Sequence, residues 1–204
     1  MPMNAFDAVY LGVSENTEMQ VSHEGLEVAQ VRRLIQEYGG TSYDGGLYRI
    51  FNAEDAKRWT TTVRRFFPVE SATVEAFGRD WQGNVFGYRS GRAPCVFLFQ
   101  PGTGDVFEIA DSLEKFHNEE LTEHAEEALS LSLWNRWRSG SPGPDRSQCI
   151  AYRKPVFLGG DVAVENLVIA DLNVYWDVMG QLLEQVRNLP EGTPIKQVNL
   201  AYLN

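Results

Sequence analysis

Between residues 72 and 109 the apolar side chains fall at every second position, and short polar turns interrupt them three times. A period of two is the signature of a half-buried strand. The pattern predicts four strands, at 73–77, 84–89, 95–100 and 105–109. The turns are Asp80-Trp81-Gln82-Gly83, Ser90-Gly91-Arg92 and Pro101-Gly102-Thr103-Gly104. Connections this short can join antiparallel neighbours only, because a parallel crossover needs a dozen residues or more. The stretch therefore commits the chain to an antiparallel meander, within a sheet that is antiparallel or mixed.

The flanking segments carry a helical period instead. Leu26, Val28, Val31, Leu34 and Ile35 predict a helix over 24–38, stopped by Gly39-Gly40, with a short strand at 47–51 after it. Asn52 can cap a second helix, with Glu54 and Asp55 in its first turn and Pro68 at its end. Asp111-Ser112 opens a helical region to about 138, broken near Asn118, and Asp171 caps a last helix to about 189. Residues 149–152 and 156–158 read as strands around Pro155, and Gly159-Gly160 as a turn with positive φ. The expected fold class is α+β, an antiparallel or mixed sheet packed with flanking helices. We expect one compact unit over 1–204, with a region at about 24–111 leading into another at about 112–195.

The 204 residues include five Trp, eight Tyr and eleven Phe, enough bulk for a sizeable core without staples. No apolar run reaches the ~18–20 residues of a membrane span. The start of the chain lacks a basic, then apolar leader, so the expected location is the cytoplasm. Cys95 and Cys149 are then reduced core thiols, with a disulfide as the lesser option.

Charge is distributed unevenly. Of the net −10, residues 105–127 hold nine acids against Lys115 alone, while residues 128–204 carry seven of each sign. One reading is a solvated helix face. The sharper one is a docking surface for a basic partner, with Glu119, Glu123, Glu126 and Glu127 as its contacts. Direct binding of nucleic acid is disfavoured, since an acidic surface repels phosphate. Trp81, placed in a turn, is either an interface anchor or a side chain folded back over the sheet.

Motifs for chemistry are sparse. The chain has no G-x-S-x-G elbow, and Gly102-Thr103-Gly104 runs into Asp105 where a phosphate-binding loop needs Lys. On an unbroken helix His117, Glu120 and His124 would share a face and could hold Zn²⁺, the basis of an alternative reading as a metal-dependent hydrolase. His23 has no partner in view. No cofactor is expected. A third reading is a non-catalytic scaffold.

Several ordered blocks carry a likeness. They are Gly46-Leu47-Tyr48-Arg49, Phe77-Gly78-Arg79-Asp80-Trp81-Gln82-Gly83, Pro101-Gly102-Thr103-Gly104 and Phe116-His117-Asn118-Glu119-Glu120-Leu121. Phe157-Leu158-Gly159-Gly160 with Asn166-Leu167, and Val174-Tyr175-Trp176 with Gly180-Gln181-Leu182, complete the set. Over about 30–195 the chain resembles bacterial immunity proteins paired with type VI secretion DNase effectors, a family with a GAD-like N-terminal region and its own C-terminal domain. It is also loosely similar to the SUKH superfamily. The resemblance implies a cytoplasmic antitoxin that binds a secreted nuclease, without cofactor or catalytic residues.

Overall fold

The computed structural model describes residues 3–14, 25–190, 192–195 and 197–200. His23 and the first residue of the helix expected from 24 lie outside these. Among the described residues seven strands form one sheet, in sequence order and wholly antiparallel: β1 (Gly12–Ser14), β2 (Thr41–Tyr43), β3 (Tyr48–Ile50), β4 (Glu75–Asp80), β5 (Val85–Arg89), β6 (Cys95–Phe99) and β7 (Val106–Ala110). The α+β expectation holds, and the sheet is antiparallel throughout, not mixed. The meander from β4 to β7 is the one the alternating pattern specifies, with β4 starting two residues later than expected.

Helix α1 (Asn4–Val9) precedes β1, α2 (Ala29–Tyr38) precedes β2, and α3 (Ala53–Phe66) lies between β3 and β4. The Asn52 side chain accepts the Asp55 amide at 2.8 Å, satisfying one of the orphan donors of the first turn of α3. Ala56, Trp59, Val63 and Phe66 form its buried stripe. The helix α8 (Leu172–Val186) starts at Asp171, which accepts the amides of Asn173 and Val174 at 2.9 and 3.0 Å. It crosses α3 at Gly180, where a Cβ would lie 2.2 Å from the Phe66 ring. No larger residue fits that crossing without displacing the ring.

Aromatic rings fill both faces of the sheet. Phe51, Trp59, Trp176, Phe67 and Phe99 make one chain of contacts, with ring centroids 5.5–6.1 Å apart, under α3 and α8. Phe6, Tyr48, Phe86, Phe116 and His117 make another, joining α1 and the segment after β7 to the sheet. A single cluster of buried side chains runs from Met3 to Leu183, so the two regions expected at 24–111 and 112–195 share a core.

The second sheet has two strands, β8 (Gln148–Tyr152) and β9 (Leu167–Asp171). Val156–Leu158, expected as a strand, is a 3₁₀ turn. Pro155 has no N–H to give a ladder, and its carbonyl is taken by Gly160 N at 2.9 Å, closing a tight turn instead. Gly159 has φ +81°, as the turn reading requires. Cys95 and Cys149 are buried free thiols.

Candidate functional site: the acidic segment

After β7 the chain does not run as one helix. It forms α4 (Leu113–Lys115), a π-helical turn (Phe116–Glu120), α5 (Leu121–Glu123), α6 (Ala125–Leu129) and α7 (Leu131–Arg138). The break expected near Asn118 is the π turn; two further breaks fall at His124 and at Ser130, whose φ is +51°. Each break re-aims the apolar stripe so that Phe116, Leu121, Ala128, Leu129 and Trp134 all reach the core.

The segment is fastened at several points. Asn118 Oδ1 accepts the Ala5 amide at 3.0 Å, capping α1, and the Tyr10 hydroxyl donates to Leu121 O at 2.7 Å. Glu119, Glu123, Glu126 and Glu127 are all exposed. Among the described residues, none of Glu119, Glu123 and Glu127 is in an ion pair, so their charge faces solvent. Glu126 differs: its Oε2 accepts the Ser132 amide at 2.8 Å across the Ser130 break, and these bonds to Ser132 hold its carboxyl below the usual range. It is a structural cap for α7 as well as a surface charge.

Trp81 is not part of this surface. It is 0 % exposed, and its Nε1 donates to Leu129 O at 2.7 Å. Its backbone is bridged on both sides, to Leu47 O and from Ile150 N. The turn that carries it is roofed by β8 and by Trp176, whose Nε1 donates to Gly83 O at 2.7 Å. Of the two sequence readings, the folded-back one is correct, and Trp81 offers a partner nothing.

The metal arrangement of His117, Glu120 and His124 does not form. The π turn adds a residue to the helical turn, and the kink at His124 turns that side chain to the exterior, whereas His117 is 0 % exposed. The Nδ1 of His117 lies 2.7 Å from Leu113 O, which can only accept, so this nitrogen carries the proton; Nε2 then accepts from the Tyr48 hydroxyl at 3.0 Å. Both nitrogens are engaged, and burial holds the imidazole down at about 4. Among the described residues no three His, Cys, Asp or Glu side chains come together as a metal site would need.

The sequence reading missed Phe107. It lies on β7, the edge strand that leads into the acidic segment, and is 46 % exposed between Val106 and the exposed Glu108. An aromatic on a strand that pairs on one side only among the described residues, beside carboxylates, is a better anchor than Trp81. The period-two pattern hid it, because alternation alone does not say which strand ends the sheet. Also missed was a cavity of about 220 Å³ between the sheet and α3, lined by Arg49, Arg58, Arg79, Arg146, Asp55 and Trp59 among others.

No protein-family model and no curated protein matches the chain. Among solved structures it is similar to Atu4351 from Agrobacterium tumefaciens, at 14 % identity and a TM-score of 0.54, covering 83 % of this chain and 84 % of that one. The likeness extends over most of both chains and shows a shared fold. No helix among the described residues is long and apolar enough to cross a membrane.

Proposed function

We propose that this chain is an immunity protein: it binds a cognate secreted toxin, a nuclease of the type VI secretion DNase class, and neutralises it in the cytoplasm of the producing cell. The observation that carries the reading is the exposed acidic segment, in which Glu119, Glu123 and Glu127 are without ion pairs among the described residues, continuous with the edge strand β7 bearing Phe107. An enzyme that handles DNA presents basic surface to its substrate. An acidic partner is steered to that surface by charge and held there by desolvated anchors. The ordered blocks in which the sequence resembles type VI immunity proteins support the same reading from the sequence side. The engagement of both His117 nitrogens weighs against the metal-hydrolase alternative.

The test is co-expression with the toxin encoded beside it, scoring survival of the host cell and capture of the toxin by the tagged chain. Survival together with a stoichiometric complex is the expected result. Failure of both with a folded protein would return the acidic segment to a merely solvated face.

A further inference from the structure

Strand β7 pairs with β6 and, among the described residues, with no strand on its far side. Its register fixes which main-chain groups look outward. The Gln100 amide donates to Asp105 O at 3.0 Å, and in an antiparallel ladder such bonded pairs alternate with unbonded ones. Phe107, opposite Leu98, therefore bonds to β6, while the amides and carbonyls of Val106 and Glu108 point away from the sheet. Beyond Glu108 a bulge interrupts the register, so the stretch open to pairing is short. The side chains divide between the two faces. Phe107 stands opposite Leu98, Leu98 opposite Phe86, and Phe86 packs on Phe116 with ring centroids 4.9 Å apart. Phe107 thus belongs to the face that carries the acidic segment. Glu108 lies on the other face, opposite Phe97, with Arg89 3.6 Å away. Asp105, Glu108 and Asp111 are exposed along this edge and at its ends.

We infer that β7 is where the partner docks main chain to main chain: an extended segment of the toxin, with basic side chains around an apolar one, adds to the sheet as a further strand. The inference rests on the immunity reading and names its mode of recognition. In strand addition the outward amides and carbonyls supply affinity, and alternate side chains supply specificity. The apolar side chain would cover Phe107, and the basic ones would face Asp105 and Glu108. A second copy of this chain fits the edge poorly. Pairing β7 with β7 would crowd the carboxylates of Asp105 and Glu108 from both copies along one short ladder.

Hydrogen–deuterium exchange of the full chain, alone and in complex with the co-expressed toxin, tests it. The amides of β7 should exchange at least about tenfold more slowly in the complex. Glu108→Pro removes an outward amide that an edge strand can spare, whereas Glu108→Gln keeps the amide and removes only the charge. The Pro variant should bind the toxin about tenfold more weakly than the Gln variant, the worth of one main-chain hydrogen bond. Exchange in β4, β5 and β6 of the unbound variants reports whether the sheet is intact. A complex that leaves β7 exchange unchanged, or equal affinities of two folded variants, would overturn strand addition and leave the immunity reading standing. Protection of β7 in the chain alone that grows with its concentration would make the edge a self-contact and overturn it too. If no complex forms, both readings fall.

Discussion

The indole Nε1 of Trp81 donates to the carbonyl oxygen of Leu129 across 2.7 Å, tying the β4–β5 turn to the end of α6. That bond falls one residue before Ser130, where the chain takes the left-handed conformation and α7 begins. The exposed carboxylates of α5 and α6 are therefore mounted on a segment pinned from inside, and the pin and the surface have separable roles.

Trp81→Phe withdraws the donor from a buried carbonyl and should cost about 1–3 kcal/mol of stability. Chemical denaturation measures the loss. Because Trp81 is wholly buried, affinity for the proposed toxin partner should stay within about twofold. Unchanged stability with lost affinity would return Trp81 to the interface.

The acidic surface should act on association rate. Replacing Glu119, Glu123 and Glu127 by Lys and Glu126 by Gln, which keeps an acceptor for Ser132, should slow association with the toxin and flatten its salt dependence. Stopped-flow rates across a salt series give the slopes. Glu126→Lys by itself should in addition lower stability by about 1 kcal/mol, through loss of the α7 cap. Parallel slopes for wild type and variant would show a solvated face.

His117 makes stability pH-dependent with a definite sign. Its folded value of about 4 is depressed below the ordinary 6.5 by burial, so between those values the unfolded chain binds a proton that the folded chain refuses. Its contribution is complete above 6.5 and is lost as pH falls toward 4. Asp80 works the other way: burial pushes its carboxyl up to about 7, against donors from Asn84 and Gln82, so its protonation in the fold favours low pH and its contribution is lost as pH rises through 7. Comparing wild type with His117→Phe cancels the Asp80 term, which is common to both. Between pH 7 and pH 5 the wild type should lose about 2 kcal/mol relative to the variant. A difference independent of pH would mean that the imidazole titrates normally.

Gly160→Ala should lower stability by at least about 1 kcal/mol, since its Cβ would lie 2.0 Å from Lys154 O. Gly159→Ala strains a backbone at φ +81° and should act in the same direction. Thermal melts check both. Toxin affinity should not change, because neither glycine borders the acidic segment in sequence or through β7. Lost affinity at unchanged melting would place the turn in the interface.

Much of the fold was legible in the residues. The alternation over 72–109 specifies the meander, Asn52 and Asp171 mark two helix starts, and Gly159 marks its turn, because each of these is decided by a few neighbours along the chain. The acidic segment was legible too, being a matter of composition. Which strand lies at the edge, and hence that Phe107 is exposed, depends on pairing that no local pattern encodes. The fate of Trp81 depended on β8 and Trp176, some 70 and 95 residues further along the chain, closing over its turn. The helical spacing of His117, Glu120 and His124 was overruled by a π turn and a kink that serve the core's need to bury Phe116 and Leu121. Arg49 and Arg79, separated by α3, came to stand opposite each other only through the register of β3 against β4. Local chemistry chose the elements, while burial of their apolar faces against one another chose which side chains would meet.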